Sequence, residues 1–173
     1  MLILGRCHHD NALAHMDQIL QALDQNFREL HKRSVRLISD ISDELLYKRT
    51  GEDNDLMMKL TVGENIIRSS AFVEMNFGGI TRRLWDDPFE WTLTEALNDR
   101  SKILAYLSEV ESTRENGFRF VRADGDLGKM IPAPRDLRSL AAILIDTLCR
   151  AEHYQGRAFA LYQTLSLSKL RPR

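Results

Sequence analysis

The densest group of residues able to ligate a metal or move a proton near neutral pH is Cys7-His8-His9-Asp10, with His15 one turn further on. Thiolate, imidazole and carboxylate are the donors that zinc takes, but adjacent residues converge on one ion only where a turn folds them together. The other reading is a solvated helix start. Glu152-His153 is a second candidate, as a base or a relocated ligand, because imidazole is the usual proton shuttle near pH 7. A lone histidine beside an apolar stripe is also an ordinary hydrogen-bonded structural residue. Arg82-Arg83-Leu84-Trp85 and Phe89-Glu90-Trp91 interleave basic and aromatic side chains as binders of single-stranded nucleic acid do. Asp86, Asp87 and Glu90 cancel that charge, so these aromatics are expected to pin a connection to the core, and no nucleic-acid partner is expected. Met57, Met58, Met75 and Met130 could line a ligand surface, but methionine is commonly a filler of irregular core gaps, and no function is attached to them.

The totals narrow the classes further. At 173 residues, 43% hydrophobic and 28% charged, the chain matches one ordinary globular domain spanning 1–173, with enough core to need no staples. A net charge of −1 gives no electrostatic case for nucleic acid or an anionic membrane. No run approaches the roughly 20 apolar residues that span a bilayer, and Met1 to Asp10 lacks the apolar run and cleavage site of a signal peptide. A cytoplasmic location is expected. Cys7 and Cys149 are far apart and form no zinc or redox spacing, so both are expected to be reduced thiols.

The elements that must position these residues are helical. From about Asn11 to Ile38, Ala12, Met16, Ile19, Leu20, Leu23, Phe27 and Leu30 recur at the period of one helix face, with Asp10 or Asn11 as cap. Ser42 to Leu46 opens with a capping residue and two acids, the start of a short helix, and Thr50 to Asp55 is a loop. Thr61-Val62-Gly63-Glu64 and Thr92-Leu93-Thr94-Glu95 both match the capping box and predict the second and third long helices. Behind the first run Val62, Ile66, Ile67, Val73 and Phe77; behind the second, Leu93, Leu97, Leu104, Leu107 and Val110. Gly78-Gly79 is expected to end or loosen the second helix, leaving Gly78 to Trp91 as a crossing connection interrupted at Asp86-Asp87-Pro88. Between Glu111 and Pro134 the helical period vanishes, and Phe118, Phe120, Asp124-Gly125, Pro132 and Pro134 predict a small hairpin or flap. From Asp136 the stripe returns through Leu137, Leu140, Ala141, Leu144, Leu148, Ala151, Phe159 and Tyr162, with Lys169 to Arg173 fraying. The expected fold is all-α: a four-helix bundle with a flap before its last helix.

On the last helix Arg150-Ala151-Glu152-His153-Tyr154-Gln155-Gly156-Arg157 resembles the DinB-family signature of His, three residues, His, one residue, Gly and Gln. Ile41 to Leu46 resembles that family's "lsdeel" turn, Thr61 to Glu74 its second helix, and Phe120 to Ile131 its glycine-containing flap. In that order and over most of its length the chain resembles the DinB/YfiT-like family. The resemblance implies an up-down-down-up bundle, often a homodimer, with a pocket at one end between the second and fourth helices. Several similar proteins hold a divalent metal, and some are thiol-dependent transferases. Their ligands are one histidine on the second helix and two on the fourth. Carried over by position, these fall on Arg68, Arg150 and Tyr154, while His153 matches a neighbouring place that is not a ligand.

A guanidinium has no lone pair to give and a phenol is a rare ligand, so no metal and no cofactor is expected at these positions. Arg150 and Tyr154, four apart, share a helix face. Two readings stay open. Two guanidinium forks and a phenol can grip a small carboxylate or phosphate, or an ion-pair network filled by Glu64, Glu74 or Glu152 can replace the vacated site. The expected function is a DinB-like protein with a degenerate, metal-free site that binds a small anion or is structural, with Glu64, Glu152 and His153 nearby. The alternative is a thiol transferase or hydrolase dependent on zinc, nickel or iron.

Overall fold

Apolar side chains at three- and four-residue spacing need a shared interior, and four long segments of this chain provide one for each other. The computed structural model describes residues 7–49, 60–88, 92 and 94–170, with side chains from residue 18 to residue 167. Among them are α1 (Cys7–Asp40), α2 (Asp43–Leu46), α3 (Val62–Arg82), α4 (Arg100–Phe120) and α5 (Leu140–Leu170). A 3₁₀ turn at Asp124–Gly128 precedes the strands β1 (Met130–Pro132) and β2 (Leu137–Ser139). The protein is therefore mostly helical, with one small antiparallel sheet. None of the described helices is long and apolar enough to cross a membrane. α3 packs against both α4 and α5, and α1 lies against the same two helices.

α1 turns Phe27, Leu30, Leu37 and Ile38 inward and begins at Cys7, upstream of the expected cap at Asp10 or Asn11. The expected loop at Thr50 to Asp55 lies outside the described residues. α3 starts where its capping box predicts: the Glu64 N–H donates to Thr61 Oγ1 at 3.3 Å and the Thr61 N–H to Glu64 Oε2 at 2.7 Å. Its far end differs from expectation. Gly78-Gly79 does not stop the helix, which runs to Arg82 and closes on Arg83 at φ 61°. Gly79 is instead a packing position. A Cβ there would meet three ring atoms of Trp85 at 2.3, 2.4 and 2.5 Å.

The second predicted capping box does not start a helix. The Thr92 hydroxyl donates to the Pro88 carbonyl at 2.9 Å, and α4 begins eight residues later behind Asp99, whose Oδ1 takes the Lys102 N–H at 2.9 Å. Asp99 is the stronger candidate because an aspartate adds a full charge at the positive end of the helix. The Leu97 carbonyl is meanwhile held by the Tyr47 hydroxyl. α4 also continues through Phe120, where a loss of helical period from Glu111 was expected. The cause is a buried charge that no apolar count registers. Arg114 is 1% exposed, grips Glu111 through Nε at 2.8 Å and Nη2 at 2.7 Å, and reaches Asp24 of α1 with Nη1. Burial opposes its charge, but Glu111 and Asp24 outweigh burial and raise its pKa. One turn on, Phe118 joins Phe27 and Phe77 in an aromatic trio with ring centroids 5.2 to 5.8 Å apart. Phe118 and Phe120 therefore belong to α4 and not to the flap.

The flap itself is present, built from fewer residues than expected. β1 and β2 pair Met130 with Ser139, Ile131 with Arg138 and Pro132 with Leu137. The Asp124-Gly125 pair sits in the 3₁₀ turn, where the Asp124 carboxylate accepts the backbone N–H groups of Ile19 and Leu20 of α1 at 3.2 and 2.7 Å. α5 starts at Leu140, because Leu137 to Ser139 are committed to β2. It runs to Leu170 and so includes Lys169, expected to fray, and the last three residues lie outside the described residues. Two buried polar ties hold α5. Gln155 Nε2 donates to the Leu30 carbonyl at 2.6 Å and to Ser34 Oγ at 2.7 Å, while Ser69 Oγ donates to the Ala151 carbonyl at 2.8 Å.

Two glycines at helix interiors give opposite predictions. A Cβ on Gly117 would stand 2.1 Å from Phe77 Cδ1, and Phe77 is fully buried, whereas a Cβ on Gly156 meets nothing within 4 Å. Gly117→Ala is expected to destabilise by about 1–3 kcal/mol through overpacking. Gly156→Ala is expected to stabilise by about 0.5–1 kcal/mol, since alanine loses less backbone freedom on folding. Urea unfolding of both variants measures the pair.

His31, near Arg114, is half-buried, and burial lowers its pKa from 6.5; Arg114 adds to this while Glu111 and Glu115 oppose it. The unfolded chain thus binds this proton more readily, so the contribution of His31 to stability is complete above about pH 6.5 and is lost as pH falls. His31→Gln should make unfolding free energy fall less steeply between pH 7 and pH 5 than in the unsubstituted chain. An identical slope would rule out this linkage.

Candidate functional site

The seam between α3 and α5 decides where the candidate residues go. On α3 Phe72 stands four residues after Arg68, with Met75 and Asn76 three and four residues beyond it, and on α5 Asp146, Arg150 and Tyr154 are spaced by four. Phe72, 8% exposed, is their meeting point. The Arg68 guanidinium lies 4.7 Å from its ring centroid and that of Arg150 5.6 Å, and the Tyr154 ring stacks on it at 5.7 Å and 25°. The three positions matched to family ligands are thus gathered around an aromatic ring, and cation–π attraction gives each arginine a reason to stay.

Their acidic partners are not those expected. Arg68 Nη1 donates to Asp87 Oδ2 at 2.9 Å and Oδ1 at 3.2 Å, and Arg150 Nε donates to Asp146 Oδ1 at 3.2 Å. Glu64 is consumed by the α3 capping box. Glu74 Oε2 accepts the buried Tyr106 hydroxyl at 2.8 Å, and burial, reinforced by Glu74, pushes that phenol far above its ordinary pKa. Glu152, two residues from Arg150 and so on another side of α5, pairs with Arg33 of α1. His153 is exposed and sets its ring edge-on to Tyr154 at 5.4 Å and 83°. Among the described residues it has no oriented hydrogen-bond partner of the kind a general base needs.

These positions do not fit a divalent metal. Two are guanidinium groups already bound to carboxylates, and neither has a lone pair to offer. Among the described residues no group of three or more His, Cys, Asp or Glu side chains is arranged to hold an ion. The side chains of Cys7, His8, His9, Asp10 and His15 lie outside the described residues, as do Phe89, Glu90 and Trp91.

Beside the Phe72 cluster opens a cleft of about 520 Å³, walled by α3, the first residues after it, the β1–β2 loop and the start of α5. Its charged lining is Arg135, Asp136, Arg138, Asp146 and Arg150; its apolar lining includes Phe72, Met75, Trp85, Pro134 and Ile143. One carboxylate serves two arginines here, since Asp146 Oδ2 also takes Arg138 Nη1 at 3.4 Å. Arg135 is exposed at the hairpin tip and makes no ion pair among the described residues. Of the expected site residues only Arg150 lines this cleft. Arg68 and Tyr154 support it through Phe72. Asp146 was legible as the partner four residues before Arg150, whereas Arg135 and Arg138 reach the site only because the hairpin folds back, and no spacing signals that.

Comparison with family models, curated proteins and solved structures finds no match for this chain.

Proposed function

We propose that the chain is a DinB-like four-helix bundle, up-down-down-up, in which the places of the family's metal ligands have become the supporting wall of a cleft for a small organic anion. The observation that carries this reading is the shortage of carboxylate in the cleft. Three guanidinium groups and two carboxylates line it, Asp146 is divided between Arg138 and Arg150, and Arg135 makes no ion pair among the described residues. A guanidinium fork in a walled cleft binds a planar carboxylate through two parallel hydrogen bonds, which water serves less well. A purely structural network would close on itself with matched acids.

The test is calorimetric titration of the whole chain with small carboxylates and inorganic phosphate at low and high salt. Arg138→Ala and Arg150→Ala should each weaken binding by about 1.5–3 kcal/mol, the size of a charge-assisted hydrogen bond. Asp146→Asn should tighten it, because the competing acid is gone. Binding of none of these anions, or an Asp146→Asn variant that binds more weakly, would overturn the reading. The thiol transferase or hydrolase alternative has to hold its zinc, nickel or iron away from Arg68, Arg150 and Tyr154. Near-stoichiometric metal in protein purified without a histidine tag would favour that alternative.

A further inference from the structure

We infer that the anion taken by this cleft carries a single carboxylate on a flat aromatic body, which stacks on Trp85. This rests on the anion-binding reading above and adds the shape of the ligand to its charge. The three atoms of the indole that would touch a Gly79 Cβ do so at nearly equal distances, 2.3, 2.4 and 2.5 Å, so the ring lies face-on against α3. Any larger residue at position 79 would lift it. Trp85 is half-buried and lines the cleft, and with one ring face against Gly79 the opposite face is the one assigned to the ligand. The other aromatic ring of the lining, Phe72, is already covered by Arg68, Arg150 and Tyr154, which leaves the indole as the stacking surface.

The charges choose the head group. Arg135, Arg138 and Arg150 against Asp136 and Asp146 leave one positive charge over, which matches a monoanionic carboxylate better than a doubly charged phosphate. The remaining wall, with Met75, Pro134 and Ile143, is apolar and suits a hydrocarbon ring. A cleft of about 520 Å³ holds one ring with room for a second fused to it. Aromatic pairs in offset stacking exceed what their buried area alone provides, so aromatic acids should be preferred over saturated ones of equal charge.

The experiment titrates the full chain with benzoate and with cyclohexanecarboxylate, which has the same charge and nearly the same size but no flat π face. Benzoate is expected to bind about threefold to tenfold tighter, the span of one aromatic pair. Trp85→Leu should bring the ratio close to one while keeping the weaker, charge-driven binding of both acids. Should that variant fail to fold, a Trp91→Phe chain, in which Trp85 is the remaining tryptophan, provides the second reading: benzoate should change its emission in step with the calorimetric isotherm. Equal affinities for the two acids, or benzoate binding that leaves Trp85 emission unchanged, overturn this inference and leave the anion-binding reading standing. Binding of neither acid overturns this inference, and the anion-binding reading falls with it if the other small carboxylates and inorganic phosphate also fail to bind.

Discussion

The guanidinium of Arg114 is the constraint from which the rest of the arrangement follows. A charge that is 1% exposed cannot be left alone, because an unpaired buried ion costs several kcal/mol, and so its surroundings are determined by its hydrogen bonds. Glu111 takes two of them from within α4, which keeps the helix wound through that stretch, and Asp24 takes a third from α1. The guanidinium carbon lies 5.5 Å from the Phe118 ring centroid, and Phe118 in turn meets Phe27 and Phe77. One salt-bridge cluster thereby aligns α1 and α4 and presents an aromatic surface to α3. With α3 set, its opposite side presents Arg68 and Phe72 to α5.

The site is built outward from that frame in layers. Phe72 collects two arginines and a tyrosine, and each arginine is then directed by a carboxylate of different origin: Asp87 from the connection after α3, Asp146 from α5 itself. Cation–π contact fixes where a guanidinium sits but leaves its donor edges available for in-plane hydrogen bonds. That separation of roles allows Arg150 to be packed on one side and chemically available on the other. The hairpin adds Arg138 and Arg135, and Gly79 allows the indole of Trp85 to lie flat against the helix.

Features with a local physical cause were readable from the chain, and those set by distant contacts were not. The α3 start was legible because both halves of its capping box are intrinsic to four residues, and most of the inward faces of α1 and α5 because periodicity is local, although Ile19 and Leu137 of the expected stripes are exposed. The same box at Thr92 failed: its hydroxyl found the Pro88 carbonyl, and Asp99 offered α4 a better cap. The end of α4 was missed because Arg114 counts as polar in any stripe, although here it is core. Gly78-Gly79 signalled a break by composition, while the need for a small residue at 79 comes from Trp85 six positions later. At the site, the joint approach of Arg68, Arg150 and Tyr154 to one place was anticipated from the resemblance and helical spacing. The Asp87 partner of Arg68, the central Phe72 and the hairpin arginines depend on tertiary placement, whereas Asp146 stands four residues before Arg150 on the same helix.

The hold of Asp124 on α1 also bears on the order of assembly. Its carboxylate joins residues 104 and 105 apart in the chain, and the cleft beyond needs α3, the hairpin and the start of α5 together. Contacts so distant in sequence must absorb a large loop-closure entropy before they return any stabilisation, so they form late. During synthesis the ribosome releases α1, α3 and α4 well before α5, and no part of the cleft is complete until that last helix docks. A nascent chain therefore emerges with its arginines solvated and the cleft unmade, and Arg138 and Arg150 come to share Asp146 only in the finished fold.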